Sequence, residues 1–338
     1  MSFSNTFDTT NPGSAVSNRE DLTDVLTILA PEETPVLSSA SKTKATATFS
    51  EWTVDKLADP GTTGVAEGAD VTTFTDKFAE RARLGNYVQK FRRDYMVSDL
   101  QEVVDSVGPA KVAQAESKAI RELKRDVEAT ILSANDRSVE NGAGTSYGLR
   151  GLGQWLADGT TIGTVSTDVP AAYATPTANN CDIAGATYTE TELNTQLSSI
   201  FRQTGQASNM MLVADTSLRR DISDFARTTA AAGTDTLRQV NMDQGQTTIK
   251  LSVDLYQSDH GVVSIVNMNP VTAPATVTGA NNSHKDGYII NPDYVGIHDL
   301  IPMGSTRLPN LGGGERGFVD CALTLGVYHP AAHGKIIA

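Results

Sequence analysis

Residues 108–135, GPAKVAQAESKAIRELKRDVEATILSAN, constrain the chain more than any other stretch. Pro109 stands where a helix accepts proline, at its first position, where the missing N–H costs nothing. Val112, Ala119, Leu123, Val127, Ile131 and Ala134 follow at spacings of three, four or seven and form one apolar stripe. Lys118 with Glu122, and Lys124 with Glu128, set opposite charges four apart on the remaining faces. The stretch predicts a helix of about 40 Å at 1.5 Å per residue. With a single stripe of mostly small residues, such a helix is a spine laid across a surface, not one wrapped on all sides by core.

The 338 residues suffice for two subdomains, and 28 glycines with 6% aromatic content suit β-rich architecture with many turns. The net charge of −13, from 27 basic and 40 acidic residues, argues against a free-standing nucleic-acid reader, which gains affinity by neutralising phosphate. Cys181 and Cys321 make neither a disulfide framework nor a metal cluster and read as reduced thiols. The first residues lack the charged start and apolar run of a secretory leader, and no run has the length of a membrane-spanning helix. The expectation is a soluble protein made in the cytoplasm and not anchored to a membrane.

Residues 1–18 are polar and aperiodic, an arm that needs a neighbouring subunit to hold it. Asn18 is placed to cap a short helix carrying Leu22, Val25, Leu26 and Leu29, ended by Pro31. Residues 42–55 and 81–98 read as two strands joined through the glycine-rich tip at 59–70, with Tyr87, Phe91 and Tyr95 on one face. Paired throughout, they predict a hairpin with arms of about 45 Å. Lys77, Arg81, Arg83, Lys90, Arg92 and Arg93 lie on or just before the returning strand, a basic patch suited to an acidic second copy of the chain. The plainer reading is an edge strand protected by charge, and the two are compatible.

Thr189 and Glu192 make a capping box for a helix on Leu193, Leu197, Ile200 and Phe201, stopped by Gly205. A buried strand at 210–214, a helix on Leu218, Ile222 and Phe225, an alternating strand at 249–257 and a strand at 261–267 complete an α+β unit. The closing segment returns to strand. Val319, Cys321, Leu323, Leu325 and Val327 alternate with polar or small partners and offer the natural cover for the stripe of the spine helix. One domain would then comprise 99–148 and 288–338, with 149–287 inserted between its parts.

Catalytic signatures are missing: the sequence has no GxxxxGK[ST], HExxH, GxSxG or clean GxGxxG pattern. The glycine cluster Gly312, Gly313, Gly314 and Gly317 joins two strands and opens no helix, so it reads as a turn. His329 and His333 lie four apart with Pro330 between them and lack a third ligand. The expectation is no catalytic residue, no cofactor and no metal.

The order of parts, a polar arm, a long two-stranded loop, a spine helix, an inserted α+β unit and closing strands, resembles the major capsid proteins of tailed bacteriophages, with the Hong Kong phage fold shared by herpesvirus capsids and encapsulins. Further stretches resemble the short-tailed-phage subgroup: LAPEETPVLS (29–38), FSEWTVDKL (49–57), EGAD (67–70), RLGNYVQKF (83–91), ELKRDVEATIL (122–132), GLRGLGQWL (148–156) and AAHGKI (331–336). The resemblance implies an α+β chain with an N-terminal arm (1–41), an extended loop (42–98), a peripheral domain with the spine helix (99–148), an axial domain (149–287) and closing strands of the peripheral domain (288–338). It implies hexamers and pentamers of the chain forming an icosahedral or elongated virion shell around double-stranded DNA, without sequence-specific binding and without a membrane. Trp52, Lys56, Lys77, Arg81, Arg83, Arg92 and Arg93 of the loop and Leu22, Val25 and Leu26 of the arm are the expected inter-subunit residues. Val112, Leu123, Val127 and Ile131 are those of the spine. Assembly is expected in the host cytoplasm with a portal and a scaffolding protein supplied as a separate chain, and a decoration protein is a possible further partner. No lysine–asparagine cross-link is expected. The alternatives are an encapsulin-like cellular shell and, from another class, a hydrolase using scattered Asp and His.

Overall fold

The long amphipathic stretch forms a helix over Lys111–Leu132, about 33 Å long at the usual rise. The computed structural model describes residues 33–104, 111–206, 208–225, 242–243, 246–247, 253–270, 272 and 285–337. The predicted start at Pro109 and the arm helix with Leu22, Val25 and Leu26 therefore lie outside the described residues. Val112, Ala119, Leu123, Val127 and Ile131 are buried in the main core. The helix stops three residues before the expected Asn135. At that end a Cβ on Gly151 would lie 2.1 Å from the Ser133 carbonyl, so the following segment turns back against the helix terminus on bare backbone. Glu128 departs from its expected exposed pairing with Lys124. It is fully buried, and its two oxygens accept the backbone N–H groups of Val36 and Leu37 at 2.9 Å each.

In chain order the described strands are β1 (Ser41–Lys44), β2 (Phe49–Val54), β3 (Ala82–Tyr87), β4 (Gln89–Val97), β5 (Asn180–Asp182), β6 (Ser208–Ala214), β7 (Met242–Asp243), β8 (Gln246–Thr247), β9 (Leu255–Ser258), β10 (Gly261–Asn267), β11 (Gly287–Ile290), β12 (Val295–Leu308), β13 (Glu315–Val327) and β14 (Gly334–Ile337). A four-stranded sheet in the order β1-β12-β13-β4 covers the long helix. Its inward face carries Val319, Cys321, Leu323, Leu325 and Val327 from β13 and Phe91 and Tyr95 from β4, all buried with the helix stripe. Gly312, Gly313 and Gly314 lie in the turn between β12 and β13, whereas Gly317 belongs to β13 opposite Tyr95, and a Cβ on Gly314 would lie 2.1 Å from the Val97 carbonyl.

The second sheet has six strands in the order β5-β14-β11-β6-β10-β9. The helix Glu190–Thr204 has the expected capping box and ends on Gly205 at φ 66°. With the helix Thr216–Asp224 it packs on one face through Leu193, Leu197, Ile200, Leu218 and Ile222. The expected division at 287/288 does not follow the sheets, because β11 and β14 both join this second sheet, while β11 also meets the spine, where the Tyr288 hydroxyl donates to the Leu132 carbonyl at 2.7 Å. The reason lies in β11. Gly287–Ile290 is buried throughout, the pattern of a central strand covered on both faces. Tyr288 and Ile290 point into the main core and Ile289 into the second one. Met211 and Val213 of β6 likewise face the first core while Met210 and Leu212 face the second.

The long hairpin is shorter than expected. β2 and β3 pair antiparallel from Phe49 with Tyr87 to Val54 with Ala82, a ribbon of about 20 Å. The outer ends of the two predicted strands go elsewhere: β1 runs parallel to β12, and β4 pairs with β13. Phe91 and Tyr95 bury on the long helix, a gain unavailable to an isolated ribbon, which is marginal in water. Tyr87 stays on the ribbon with its ring 4.5 Å from that of Phe49, so the three aromatics do not share one surface. The strand expected at 249–257 begins at Leu255 among the described residues. Leu255 is 61% exposed on an edge strand, the reverse of its expected inward face. Residues 249–252 lie outside the description.

Candidate subunit-contact surface

The ribbon is anchored by a buried polar junction. Arg150 is fully buried; its Nε and Nη2 donate to Asp136 and Asp168 at 2.6 Å each, and its guanidinium lies 4.6 Å from the Trp155 ring centre. Arg137 pairs with Asp168 at 3.2 Å and donates to the Gly85 carbonyl at 2.9 Å. Burial works to raise the Asp136 pKa, but hydrogen bonds from Arg150, Ser166 and the Arg137 N–H outweigh it and hold the carboxyl below its ordinary value. Asn86 of β3, also fully buried, bonds to the Arg150 backbone and to the Leu325 carbonyl. These contacts tie the ribbon to both the segment after the long helix and the four-stranded sheet.

Beyond the ribbon, residues 55–81 project apolar side chains into solvent. Leu57 is 91% and Phe74 88% exposed, and Val65, Val71 and Phe78 are exposed as well. Single exposed apolar residues are ordinary; five large ones on one loop with no described core of its own mark a surface awaiting a partner. The loop is held at its neck, where Asp55 pairs with Arg81 at 2.9 Å, Arg81 lies over Phe78, and the Tyr173 hydroxyl donates to the Glu80 carbonyl at 2.6 Å.

The expected contact residues divide into two groups. Lys56, Lys77, Arg83 and Arg92 are exposed. Trp52 is instead turned inward, 5.7 Å from Trp155 and edge-on to Tyr328 and His298, so it is part of the body. Arg93 makes two bonds to Asp126 of the long helix at 2.6 and 2.8 Å, and this partner raises its pKa. Lys90 pairs with Asp320 at 3.1 Å. Half of the basic patch is therefore engaged within its own chain. Leu22, Val25 and Leu26 fall outside the described residues, and Val112, Leu123, Val127 and Ile131 are core.

A second exposed apolar cluster escaped the sequence reading. The short helix Asp99–Val103, capped by Ser98, presents Leu100 and Val103, and Val104 follows it. Met96 and Leu311 are exposed beside it, where the β12–β13 turn lies against the end of β4: the Asn310 side chain meets Asp99, and a Cβ on Gly313 would touch Met96. The Ser98 cap and the spacing of Leu100, Val103 and Val104 were the available signal.

Signs of chemistry are sparse. Among the described residues no group of three His, Cys, Asp or Glu side chains is placed to hold a metal, and no helix is long and apolar enough to cross a membrane. His333 is buried, with Nδ1 accepting the Asn291 N–H at 3.1 Å; burial first, and His329 second, push its pKa down to about 3. Cys181 and Cys321 are free, and burial pushes their thiols up to about 11 and about 12, far from reactive thiolates. A groove of about 490 Å³ along the helix Glu190–Thr204 is lined by Thr191, Asn194, Ser198 and Arg202 without a nucleophile–base pair.

The fold is that of solved phage capsids. The capsid of cyanophage P-SCSP1u matches with a TM-score of 0.61 at 14% identity, over 100% of this chain and 99% of that one. The cyanophage A-1(L) capsid matches with 0.63 at 14%, over 97% and 98%. The capsid of a native GTA particle matches with 0.62 at 12%, over 98% and 99%. No curated protein matches the chain. The family model described as SU10 major capsid protein matches residues 3–338. The chain belongs to that family and is a major capsid protein of the tailed-phage type.

Proposed function

We propose that the chain builds the wall of a viral head as hexamers and pentamers of itself, closing an icosahedral or elongated shell around double-stranded DNA. The observation that carries this reading is the apolar loop 55–81 held out on a stapled ribbon, a surface suited to lie across the next copy in a heterologous ring contact. Leu57, Phe74 and Phe78 supply the contact area; Lys56, Lys77, Arg83 and Arg92 supply charge toward an acidic neighbour. The arm residues Leu22, Val25 and Leu26 dock on an adjacent copy. The cluster of Met96, Leu100, Val103 and Leu311 forms a second contact at the far end of the four-stranded sheet. The net charge of −13 suits a wall that repels the packaged genome. The role is structural and not enzymatic, without cofactor or metal. Assembly takes place in the host cytoplasm with a separate scaffolding protein and a portal, and the finished lattice offers sites to a decoration protein.

The chain expressed alone, and together with its scaffolding protein, should give shells, tubes or capsomers by negative-stain electron microscopy and size-exclusion chromatography. A subunit that stays monomeric in both preparations would overturn the reading.

A further inference from the structure

Residues 138–148 make a closed loop after the long helix. Ser138 and Gly148 exchange backbone hydrogen bonds of 3.0 and 3.1 Å at its neck, and Tyr147 lies with its ring 5.6 Å from that of Tyr87 on β3. At its outer end stands Asn141–Gly142, the one Asn–Gly pair of the sequence, with both residues exposed. Asn141 Oδ1 accepts the Ala143 N–H at 2.9 Å and the Thr145 N–H at 3.2 Å, donors that only the oxygen end of the amide can meet. Among the described residues neither Asn141 Nδ2 nor the Gly142 N–H makes a hydrogen bond. Gly142 takes φ 70°, and a Cβ there would meet nothing within 4 Å.

We propose that Asn141 is a site of self-modification, at which the Gly142 nitrogen attacks the Asn141 side-chain carbonyl and the chain loses ammonia. A bond forms between Gly142 N and Asn141 Cγ, the Cγ–Nδ2 bond breaks, and Nδ2 departs as ammonia with the proton from Gly142. One solvent water then opens the five-membered imide to aspartate or isoaspartate, with no change of oxidation state. The charge that builds on Oδ1 during the attack is met by two N–H groups already aimed at it, as backbone donors meet other tetrahedral oxyanions. The leaving nitrogen is tied to nothing, and the attacking N–H has no bond to give up. Glycine adds no side chain beside the attacking atom and leaves the backbone free to turn toward the carbonyl.

Asp158–Gly159 shows the opposite arrangement. Asp158 accepts the N–H groups of Thr160, Thr161 and Ile162 on one oxygen and the Asn180 amide on the other, and the Gly159 N–H donates to the Gly163 carbonyl at 3.0 Å. Its nitrogen is engaged, and its carboxylate has no ammonia to lose. The reaction at Asn141 lies within one chain and stands whether or not that chain meets a second copy.

The test is peptide mapping by mass spectrometry of the folded, unassembled full-length chain, kept in neutral buffer at physiological temperature until the same chain in urea has lost half of its Asn141 amide. The folded chain should by then have lost a comparable share, seen as a gain of about 1 Da at position 141 divided between two isomers. Asp158 should stay a single isomer. Asn141→Gln, which would need a six-membered ring, should show no gain, and Gly142→Ala should slow the reaction several-fold. A folded chain that keeps its Asn141 amide while the chain in urea loses it would overturn the proposal. So would a gain at position 141 without isoaspartate, the mark of direct hydrolysis by water, which decides the matter should the alanine variant disturb the loop.

Discussion

Asn86 and Arg150 bond to each other in both directions: the Arg150 backbone N–H donates to Asn86 Oδ1 at 2.7 Å, and Asn86 Nδ2 donates to the Arg150 carbonyl at 3.1 Å. The same Nδ2 also donates to the Leu325 carbonyl at 2.9 Å, so one buried amide joins the ribbon, the segment after the long helix and the closing strand. Asn86→Ala removes these bonds and leaves a buried N–H and two carbonyls without protein partners. Each unsatisfied group costs about 1–3 kcal/mol, partly recoverable if water enters, so a loss of about 3 kcal/mol is expected in chemical unfolding. Asn86→Asp should lose a similar amount, because the carboxylate would face two carbonyl oxygens.

Glu128 gives a prediction with a pH sign. Burial pushes its pKa above the ordinary 4.5, and the N–H groups of Val36 and Leu37 pull it down without cancelling that effect. The native state therefore binds the proton more tightly than the unfolded chain. This contribution to stability is present below the ordinary value, is lost as pH rises through the raised one, and is constant above it. Glu128→Gln removes that slope, so the stability difference between wild type and variant should change with pH between the two values and level off above the raised one. Denaturant midpoints across the acid range read it directly. Glu128→Ala, which also opens a cavity and strands two N–H groups, should lose about 3–5 kcal/mol below the ordinary carboxyl value, and less once the pH passes the raised one.

The legible parts were those written in local periodicity. The stripe of the long helix, the alternation of Val319 to Val327 and the Thr189–Glu192 box each depend on neighbours within a few residues. The extent of the hairpin was not legible, because residues 41–44 and 89–97 had to choose between each other and strands more than two hundred residues away. Charged side chains misled in the same way. Glu128 sits at a spacing that suits an exposed pair with Lys124, and only the distant Val36 and Leu37 make its burial tolerable. Arg150 stands in a glycine-rich break and gives no sign of being the most enclosed cation among the described residues; its partners Asp136 and Asp168 lie 14 and 18 residues away on irregular chain. The exposed side of the molecule was partly readable, since the apolar residues of the loop are visible in sequence, but which arginines remain free depends on Asp126 and Asp55.

Arg92 and Arg93 are adjacent on β4 and should separate folding from assembly. Arg93→Glu sets a carboxylate against Asp126, breaking a half-exposed pair worth less than about 1 kcal/mol and adding repulsion. It should lower the midpoint of thermal unfolding slightly before any effect on particles is considered. Arg92 is exposed, and it stands opposite Asp320, whose carboxylate pairs with Lys90. Arg92→Glu sets a carboxylate directly opposite Asp320, a like-charge cross-strand pair costing about 0.2–1 kcal/mol, so it should lower the unfolding midpoint of the isolated subunit slightly and weaken assembly beyond that, most clearly at low salt where the lost attraction is least screened. Equal assembly of Arg92→Glu and wild type across a salt series would remove Arg92 from the contact.

The loop itself admits the cleanest separation. Leu57 and Phe74 are almost wholly exposed in the subunit, so Leu57→Ser and Phe74→Ser remove little that the isolated fold uses. Surface changes of this kind usually lie within about 0.5 kcal/mol, and any effect on the monomer should stay inside that range. In a closed lattice the same side chains would be buried against a neighbour. Losing a large buried apolar group costs about 1.5–3 kcal/mol per contact by the transfer scale, repeated at every subunit. Phe74→Ser should therefore shift the concentration at which particles form upward by at least tenfold, read by light scattering, while its circular dichroism and melting curve overlay the wild type. Wild-type assembly by the double variant would mean that the apolar loop serves some purpose other than joining copies of the chain.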